Sequence, residues 1–193
     1  MPEPTDVPQE WPVADSSYPY DGGGWVVKLR RDAVRRPGHP DEEPFDRLVV
    51  EHPGAAVVLA VDERDRVLCL SQYRHAVGQR LVQLPAGLLD VEGEEPVEVA
   101  RRELVEEAGY EAAEWTHLIS AYSSPGIIGE ISHYFLARGL TEVGRGDFEP
   151  EHEEAEMEIG WVPRTELRAA VLDGRVHDAH LALALLTAEA RGQ

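Results

Sequence analysis

The segment Gly87–Tyr110 reads G-L-L-D-V-E-G-E-E-P-V-E-V-A-R-R-E-L-V-E-E-A-G-Y. Pro96 suits the first turn of a helix, where its missing N–H is harmless, and Gly109 is a typical residue at a helix C-terminus. Apolar residues recur between them at helical spacing: Val97, Ala100, Leu104 and Ala108. The pattern predicts an amphipathic helix that begins near Pro96 and ends before Gly109.

The predicted helix carries three carboxylates on one face, because Glu103 lies three residues before Glu106 and four before Glu107. A solvated acidic face is the commonest role of a Glu-rich helix. Three clustered carboxylates repel one another, however, and hard oxygen ligands in this number suit Mg²⁺ or Mn²⁺. The preceding residues 84–87 (L-P-A-G) predict a strand end and a loop, which can add a backbone carbonyl to the cluster.

The same segment resembles the Nudix box, usually written G-x5-E-x7-R-E-U-x-E-E-x-G-U with U a bulky apolar residue. From Glu94 to Tyr110 every fixed position is matched. One departure lies upstream, where six residues rather than five separate Gly87 from Glu94. We expect the loop tip to accommodate the extra residue, since loop insertions are usually tolerated.

Composition narrows the class of protein. A chain of 193 residues with 42% hydrophobic and 28% charged residues is typical of a globular protein with one sizeable core. The formal net charge of −19 argues against nonspecific binding to nucleic acid or to an anionic membrane. Cys69 is the only cysteine, which fits a reducing cytoplasm. We see neither a long apolar run nor a signal peptide.

Local patterns divide the chain into a flexible N-terminal tail (1–24), an antiparallel N-terminal sheet (25–53) and a domain over 54–193. The resemblance implies that 54–193 is a Nudix hydrolase domain and that the N-terminal sheet is a dimerisation element. Alternating or continuous apolar runs predict strands over 25–34, 45–52, 54–61, 66–73, 115–122, 130–137 and 157–162. Helical patterns predict two C-terminal helices over 164–172 and 179–190, with the apolar side of the second packed on the sheet.

Two arginines are candidate phosphate ligands. Arg74 ends the segment Gln72-Tyr73-Arg74, and Arg47 lies in R-x-V-V-E-H. On bare sequence, a structural ion pair is the more ordinary role for Arg74. The Q-Y-R segment ahead of L-P-A-G, however, resembles the ADP-ribose pyrophosphatase branch of the Nudix family. That resemblance implies that Arg74 faces the substrate and that Arg47 approaches the nucleotide, from the same subunit or its partner.

Pro125 lies fifteen residues beyond Tyr110 in the segment Ser124-Pro125-Gly126-x-x-x-Glu130. An ordinary turn also explains a proline here. The spacing resembles that of the same branch and implies substrate contacts from Pro125, Gly126 and Glu130. The intervening I-I-G departs from the branch, which often has polar residues there, so polar ribose contacts at these positions are not implied.

The acidic segment 149–156 (E-P-E-H-E-E-A-E) precedes a predicted strand. A charge run of this kind is usually a solvated loop. The resemblance implies instead a loop that carries the general base, for which we favour Glu154, with Glu156 as an auxiliary metal ligand. Spacing alone leaves Glu153 open as the base.

The resemblance implies a Nudix-type α/β/α sandwich of the α/β (α+β) class, with a mixed central sheet and an additional N-terminal antiparallel sheet. It implies a hydrolase that cleaves ADP-ribose to AMP and ribose 5-phosphate. Mg²⁺, or Mn²⁺, would be held by Glu103, Glu106, Glu107, Glu156 and the Ala86 carbonyl, with Arg102 orienting the glutamates. Glu103, Glu107 and Glu154 would be the catalytic residues.

A homodimer that acts on a small nucleotide in the cytoplasm is also implied. Two alternatives stay open. One is a Nudix hydrolase of another nucleoside diphosphate derivative, either a sugar nucleotide or an oxidised dNTP. The other is a non-catalytic sensor of ADP-ribose or of a sugar nucleotide.

Overall fold

A computed structural model describes residues 4–24, 26–146 and 156–193. The chain forms two compact units. The first comprises residues 1–52 with 124–129, and the second comprises residues 53–123 with 130–193.

The first unit is a three-stranded antiparallel sheet in the order β1-β2-β3. Its strands are β1 (Val13–Tyr20), β2 (Lys28–Val34) and β3 (Phe45–Glu51). Residues 124–129 join the sheet, because the Val50 N–H donates to the Ile127 carbonyl at 2.8 Å. The sequence predicted a flexible tail over residues 1–24, whereas the structure has β1 paired with β2. All eight residues of β1 are exposed, so the strand lacks the apolar alternation that would have revealed it.

The second unit contains the remaining elements. In chain order they are β4 (Ala55–Ala60), β5 (Arg66–Arg74), a short 3₁₀ helix (His75–Val77), β6 (Gln79–Gln83), β7 (Ala86–Leu88), α1 (Pro96–Ala108), β8 (Tyr110–Tyr122), β9 (Ile131–Glu142), β10 (Glu158–Pro163), α2 (Arg164–Leu172) and α3 (Ala179–Ala190). One sheet has the order β7-β4-β9-β8 and is mixed, since β4 and β9 are parallel. The other has the order β10-β5-β6 and is antiparallel.

Strand β4 is buried along its whole length, because both faces of its sheet are covered. Val57 and Leu59 pack in a cluster that includes Leu185 of α3. Val58, on the opposite face, packs in a second cluster with Leu104 of α1. Helices therefore cover both faces of a mixed sheet, and the predicted α/β/α sandwich is confirmed.

The helix bounds agree with the sequence pattern. Helix α1 begins at Pro96 and is followed by Gly109, whose φ of 76° places it in the left-handed region that favours glycine. Strands β8 and β9 run longer than predicted. Their ladder extends to the pair Tyr110–Glu142, beyond the predicted strand limits at residues 115 and 137.

Among the described residues, no helix combines the length and the apolar character that crossing a lipid bilayer requires.

Candidate catalytic and metal-binding site

Helix α1 presents its carboxylates around the guanidinium of Arg102. Arg102 Nη1 donates to Glu103 at 2.6 Å and to Glu106 at 3.2 Å, and Nη2 lies 3.5 Å from Glu94. Burial alone would lower the pKa of Arg102, but Glu103 and then Glu94 and Glu106 outweigh it and raise that pKa above its usual range. A permanently charged arginine thus offsets the repulsion within this carboxylate cluster.

Glu107 faces the strand that precedes the helix. Its carboxylate accepts a hydrogen bond of 2.8 Å from the backbone N–H of Ala86 in β7. Glu107 is only 7% exposed. Its backbone carbonyl accepts from Arg145, with Nε at 3.0 Å. Glu107 therefore connects α1 to β7 through its side chain and to the segment after β9 through its backbone carbonyl.

Gly87 is required at its position by close packing. A Cβ atom added there would lie 2.1 Å from Oε1 of Glu103, which is far inside van der Waals contact. The Glu103 carboxylate therefore lies directly against the backbone of β7. The loop with one extra residue contains a turn in which the Glu94 N–H donates to the Val91 carbonyl at 3.2 Å.

The side chains of Glu103, Glu106 and Glu107 are of the chemical type that binds a divalent metal ion. Three carboxylates and a nearby strand backbone form a set of hard oxygen donors, and the Gly87 backbone leaves room for Glu103 that any side chain would fill. Within the described ranges, no group of three or more His, Cys, Asp or Glu side chains is closed tightly enough to hold an ion. The negative charges of Glu103 and Glu106 are instead compensated by ion pairs with Arg102.

Arg74 lies at the end of β5, and its side chain is held by two residues that the sequence patterns did not single out. Arg74 Nε donates to Gln83 Oε1 at 2.6 Å. Gln83 Nε2 in turn donates to Asp178 Oδ2 at 2.7 Å. Asp178 precedes α3, where an aspartate is a typical N-cap, and this signal could have identified it.

Glu130 is also placed by neighbouring side chains. Its carboxylate accepts from the Ser123 hydroxyl at 2.6 Å and from the Ser132 hydroxyl at 3.1 Å. Ser132 is fully buried. Glu130 is thus oriented at the start of β9 by two hydroxyl donors.

Glu156 lies beside Arg80 rather than in a described carboxylate cluster. Arg80 Nη1 donates to the Glu156 carbonyl at 3.0 Å, and Nη2 lies 3.7 Å from Oε2 of the same residue. The Glu156 side chain is 83% exposed. Glu153 and Glu154, the candidate bases, lie outside the described residues.

Arg47 belongs to the first unit, where its guanidinium lies 4.3 Å above the centre of the Phe45 ring. Trp11 meets the same ring edge-on at 6.2 Å. An open pocket of about 300 Å³ is lined by Trp11, Val34, Phe45 and Arg47. Sequence reasoning missed the aromatic part of this pocket, because Trp11 lies in the segment predicted to be a tail.

Pro125 and Gly126 form an exposed turn in the same unit. The Ile127 N–H donates to the Ser124 carbonyl at 3.1 Å, which places Pro125 at the second position of the turn.

An α/β/α sandwich whose first helix holds Glu103 and Glu107 against a glycine-containing strand, with Glu106 paired to Arg102 on the same helix, suits a metal-dependent hydrolase. The NUDIX domain family model matches residues 50–184, and the chain belongs to the Nudix family of hydrolases. Members of this family generally use a divalent metal ion.

Several known proteins are similar to this chain. It is 46% identical to the ADP-ribose pyrophosphatase of Mycobacterium tuberculosis, over 79% of this chain and 72% of that protein. It is 40% identical to the methanol dehydrogenase activator of Bacillus methanolicus, over 62% of each. A crystal structure of an ADP compounds hydrolase matches 96% of both chains with a TM-score of 0.75 and 18% identity, which shows a shared fold.

Proposed function

We propose that this protein is a Mg²⁺-dependent hydrolase that cleaves ADP-ribose to AMP and ribose 5-phosphate. The observation that carries the proposal is the 46% identity to a protein named ADP-ribose pyrophosphatase, over 72% of that protein's length. The intact carboxylate cluster of α1 supports a catalytic role over a sensor role, since none of the box glutamates is replaced.

Glu103, Glu106 and Glu107, the Ala86 carbonyl and Glu156 would hold the metal, with Mn²⁺ as a possible substitute. When bound, the ion supplies Lewis-acid chemistry, which neutralises charge on the pyrophosphate and acidifies a water molecule. The protein would hold the metal-binding side chains in place. Glu107 is held by the Ala86 N–H, and Arg102 orients Glu103 and Glu106.

Glu154 would accept the proton of the attacking water. General-base help of this kind is typically worth about 10²–10⁴-fold in rate. Glu153 is the competing candidate, because it lies in the same acidic segment.

Positive groups on the chain would hold the anionic substrate. Arg74 would bind the pyrophosphate, since a guanidinium meets two phosphate oxygens in one plane. Arg47 would bind the adenosine side, and the Trp11–Phe45–Arg47 pocket supports this role because its aromatic faces suit a planar base. Pro125, Gly126 and Glu130 would complete the substrate contacts.

We further propose a homodimer that works in the cytoplasm, with the N-terminal sheet as the dimerisation element and residues 54–193 as the hydrolase domain. The sheet leaves large apolar side chains exposed, among them Tyr18 at 49% and Leu48 at 47%. A second copy of the chain is the partner that would cover them. The cytoplasmic assignment rests on the single, buried cysteine, Cys69.

The test is turnover of ADP-ribose by the purified protein with and without Mg²⁺, with ADP-glucose and dGTP assayed alongside and products separated by chromatography. We expect fast, Mg²⁺-dependent release of AMP from ADP-ribose. Faster turnover of another substrate would overturn the specificity and retain the hydrolase. A rise in melting temperature with ADP-ribose, without turnover of any substrate, would favour the sensor alternative.

A further inference from the structure

Arg74 hydrogen-bonds to a residue that lies four positions along β6 from its own ladder partner. In the β5–β6 ladder, Arg74 pairs with Gln79, whereas Gln83 pairs with Leu70. The two side chains nevertheless meet at 2.6 Å. Arg74 must therefore lie extended along the sheet, and Gln83 determines where its guanidinium ends.

Gln83 has both the acceptor and the donor that this position requires. An arginine can only donate hydrogen bonds and a carboxylate can only accept them, so a residue between Arg74 and Asp178 must accept on one side and donate on the other. The amide of Gln83 does both, with Oε1 toward Arg74 Nε and Nε2 toward Asp178 at 2.7 Å. The two partners fix the orientation of the amide.

Asp178 anchors this chain of hydrogen bonds in the core. It is 7% exposed, and its second oxygen accepts from the Leu181 N–H at 2.7 Å. The helix that it caps is packed in the hydrophobic core through Leu181, Ala184, Leu185 and Ala188, all fully buried. The orientation of Arg74 is therefore tied to a rigid element.

The contact uses only the Nε edge of Arg74. A guanidinium has five N–H donors, and its two terminal nitrogens together form an edge that can meet two phosphate oxygens. We propose that Gln83 and Asp178 are positioning residues that orient the terminal nitrogens of Arg74 toward the pyrophosphate of the substrate. This inference rests on the proposed function, in which Arg74 binds that group.

Asp178→Asn tests the relay with little disturbance of the fold. Asparagine is as good an N-cap as aspartate, so α3 keeps its cap. The new amide would cap through its oxygen and present its NH₂ group to Gln83. To accept from that NH₂ group, the Gln83 amide would have to flip, and its own NH₂ group would then face the N–H of Arg74 Nε, donor against donor. We expect KM for ADP-ribose to rise about tenfold, the effect of losing one charged hydrogen bond, with kcat within about twofold.

The double variant Gln83→Glu with Asp178→Asn restores the polarity of the relay. A carboxylate at position 83 accepts both from Arg74 and from the new amide at position 178. We expect KM to return to within about twofold of the wild type. The matched control is Asp62→Asn, a buried aspartate in a turn that also accepts backbone N–H bonds and does not contact Arg74. Its KM should stay at the wild-type value.

Arg74→Ala separates the two ways in which the idea can fail. If Arg74→Ala raises KM but Asp178→Asn does not, or if the double variant is not rescued, the relay is wrong while the role of Arg74 stands. If Arg74→Ala leaves KM unchanged, Arg74 does not bind the substrate and the relay positions nothing. If the wild type turns nothing over, the proposed activity is wrong, and calorimetric Kd values for ADP-ribose across the same variants test the relay by the same pattern.

Discussion

Strand β4 of the second unit is buried on both faces, whereas no apolar side chain in the described part of residues 4–52 is buried. The first unit depends instead on polar contacts. Asp32 is only 6% exposed and accepts hydrogen bonds from Ser16 at 2.6 Å and from Arg30 Nε at 2.9 Å. Arg30 also pairs with Glu51 of β3. Charged and polar side chains thus connect the three strands of the N-terminal sheet, whereas buried apolar side chains connect the strands of the second unit.

The difference shows where each unit can support function. A side chain on an element packed into a core is held in place by its surroundings, as Glu107 is between α1 and β7. A sheet without a core of its own gains little from apolar burial within one chain. We therefore expect the cluster of α1 to be complete within one chain, and the N-terminal sheet to depend on a second copy.

The largest expected effect is that of Glu107→Gln. The amide oxygen still accepts from the Ala86 N–H, so the packing of α1 against β7 should survive, but a negative metal ligand is lost. We expect kcat for ADP-ribose to fall by about 10³-fold or more, since metal-based charge stabilisation is worth several kcal/mol. The melting temperature should change little.

Glu98→Gln is the matched control for this change. Glu98 lies on the same helix and is paired loosely with Arg101 at 3.7 Å on the exposed side. Its kcat should equal that of the wild type. Near wild-type kcat in Glu107→Gln would contradict the metal assignment.

Glu154→Gln tests whether the glutamates of α1 are sufficient for catalysis without a separate general base. We expect kcat to fall by about 10²–10⁴-fold with metal affinity unchanged, because the variant loses the base but no ligand of the main cluster. Glu153→Gln and Glu156→Gln are measured beside it. A larger loss in Glu153→Gln would transfer the role of base to that residue.

The second unit, which has the buried core, was also more predictable from the sequence than the first. Helix α1 was predicted because Pro96, the apolar spacing and Gly109 all act locally. Strand β4 was predicted because burial on both faces produces a continuous apolar run. Strand β1 was missed because its pairing with β2 is a nonlocal contact made by exposed residues, which leaves no periodic pattern.

The candidate site divides in the same way. Helical spacing puts Glu103, Glu106 and Glu107 on one helix and Glu106 beside Arg102, so the sequence could predict this much. That all three carboxylates converge on one metal ion stays a prediction. The hydrogen bond between Glu107 and Ala86 joins residues 21 positions apart, and the one between Gln83 and Asp178 spans 95 positions. No local pattern encodes such contacts, and only the folded chain reveals them.

Leu48→Glu tests whether the N-terminal sheet depends on a second copy. Leu48 is 47% exposed in one chain, and a glutamate there would lie near Arg31, its partner in the β2–β3 ladder. The single chain should tolerate the change, whereas a dimer would have to bury the charge. We expect the dimer Kd to weaken by about 100-fold or more, measured by light scattering and sedimentation. Leu172→Glu, at a residue 59% exposed on α2, is the matched control. A monomeric wild-type protein, or equal dissociation in both variants, would contradict the dimer.

The smallest expected effect concerns the polar network of Ser16, Arg30, Asp32 and Glu51 in the N-terminal sheet. The hydrogen bond from Arg30, followed by that from Ser16, holds the pKa of Asp32 below its usual range. A carboxyl whose pKa is lower in the folded state stabilises the fold above its unfolded pKa of about 3.9, and that contribution is lost as the pH falls through the folded value. Asp32→Asn should therefore lower the melting temperature by about 2–4 °C at pH 7, as expected for the loss of about 1 kcal/mol. The difference from the wild type should narrow as the pH falls below about 4. A gap that stays constant with pH would mean that shape rather than charge makes Asp32 important, and the contrast between a charged sheet and an apolar core would then be weaker than the structure indicates.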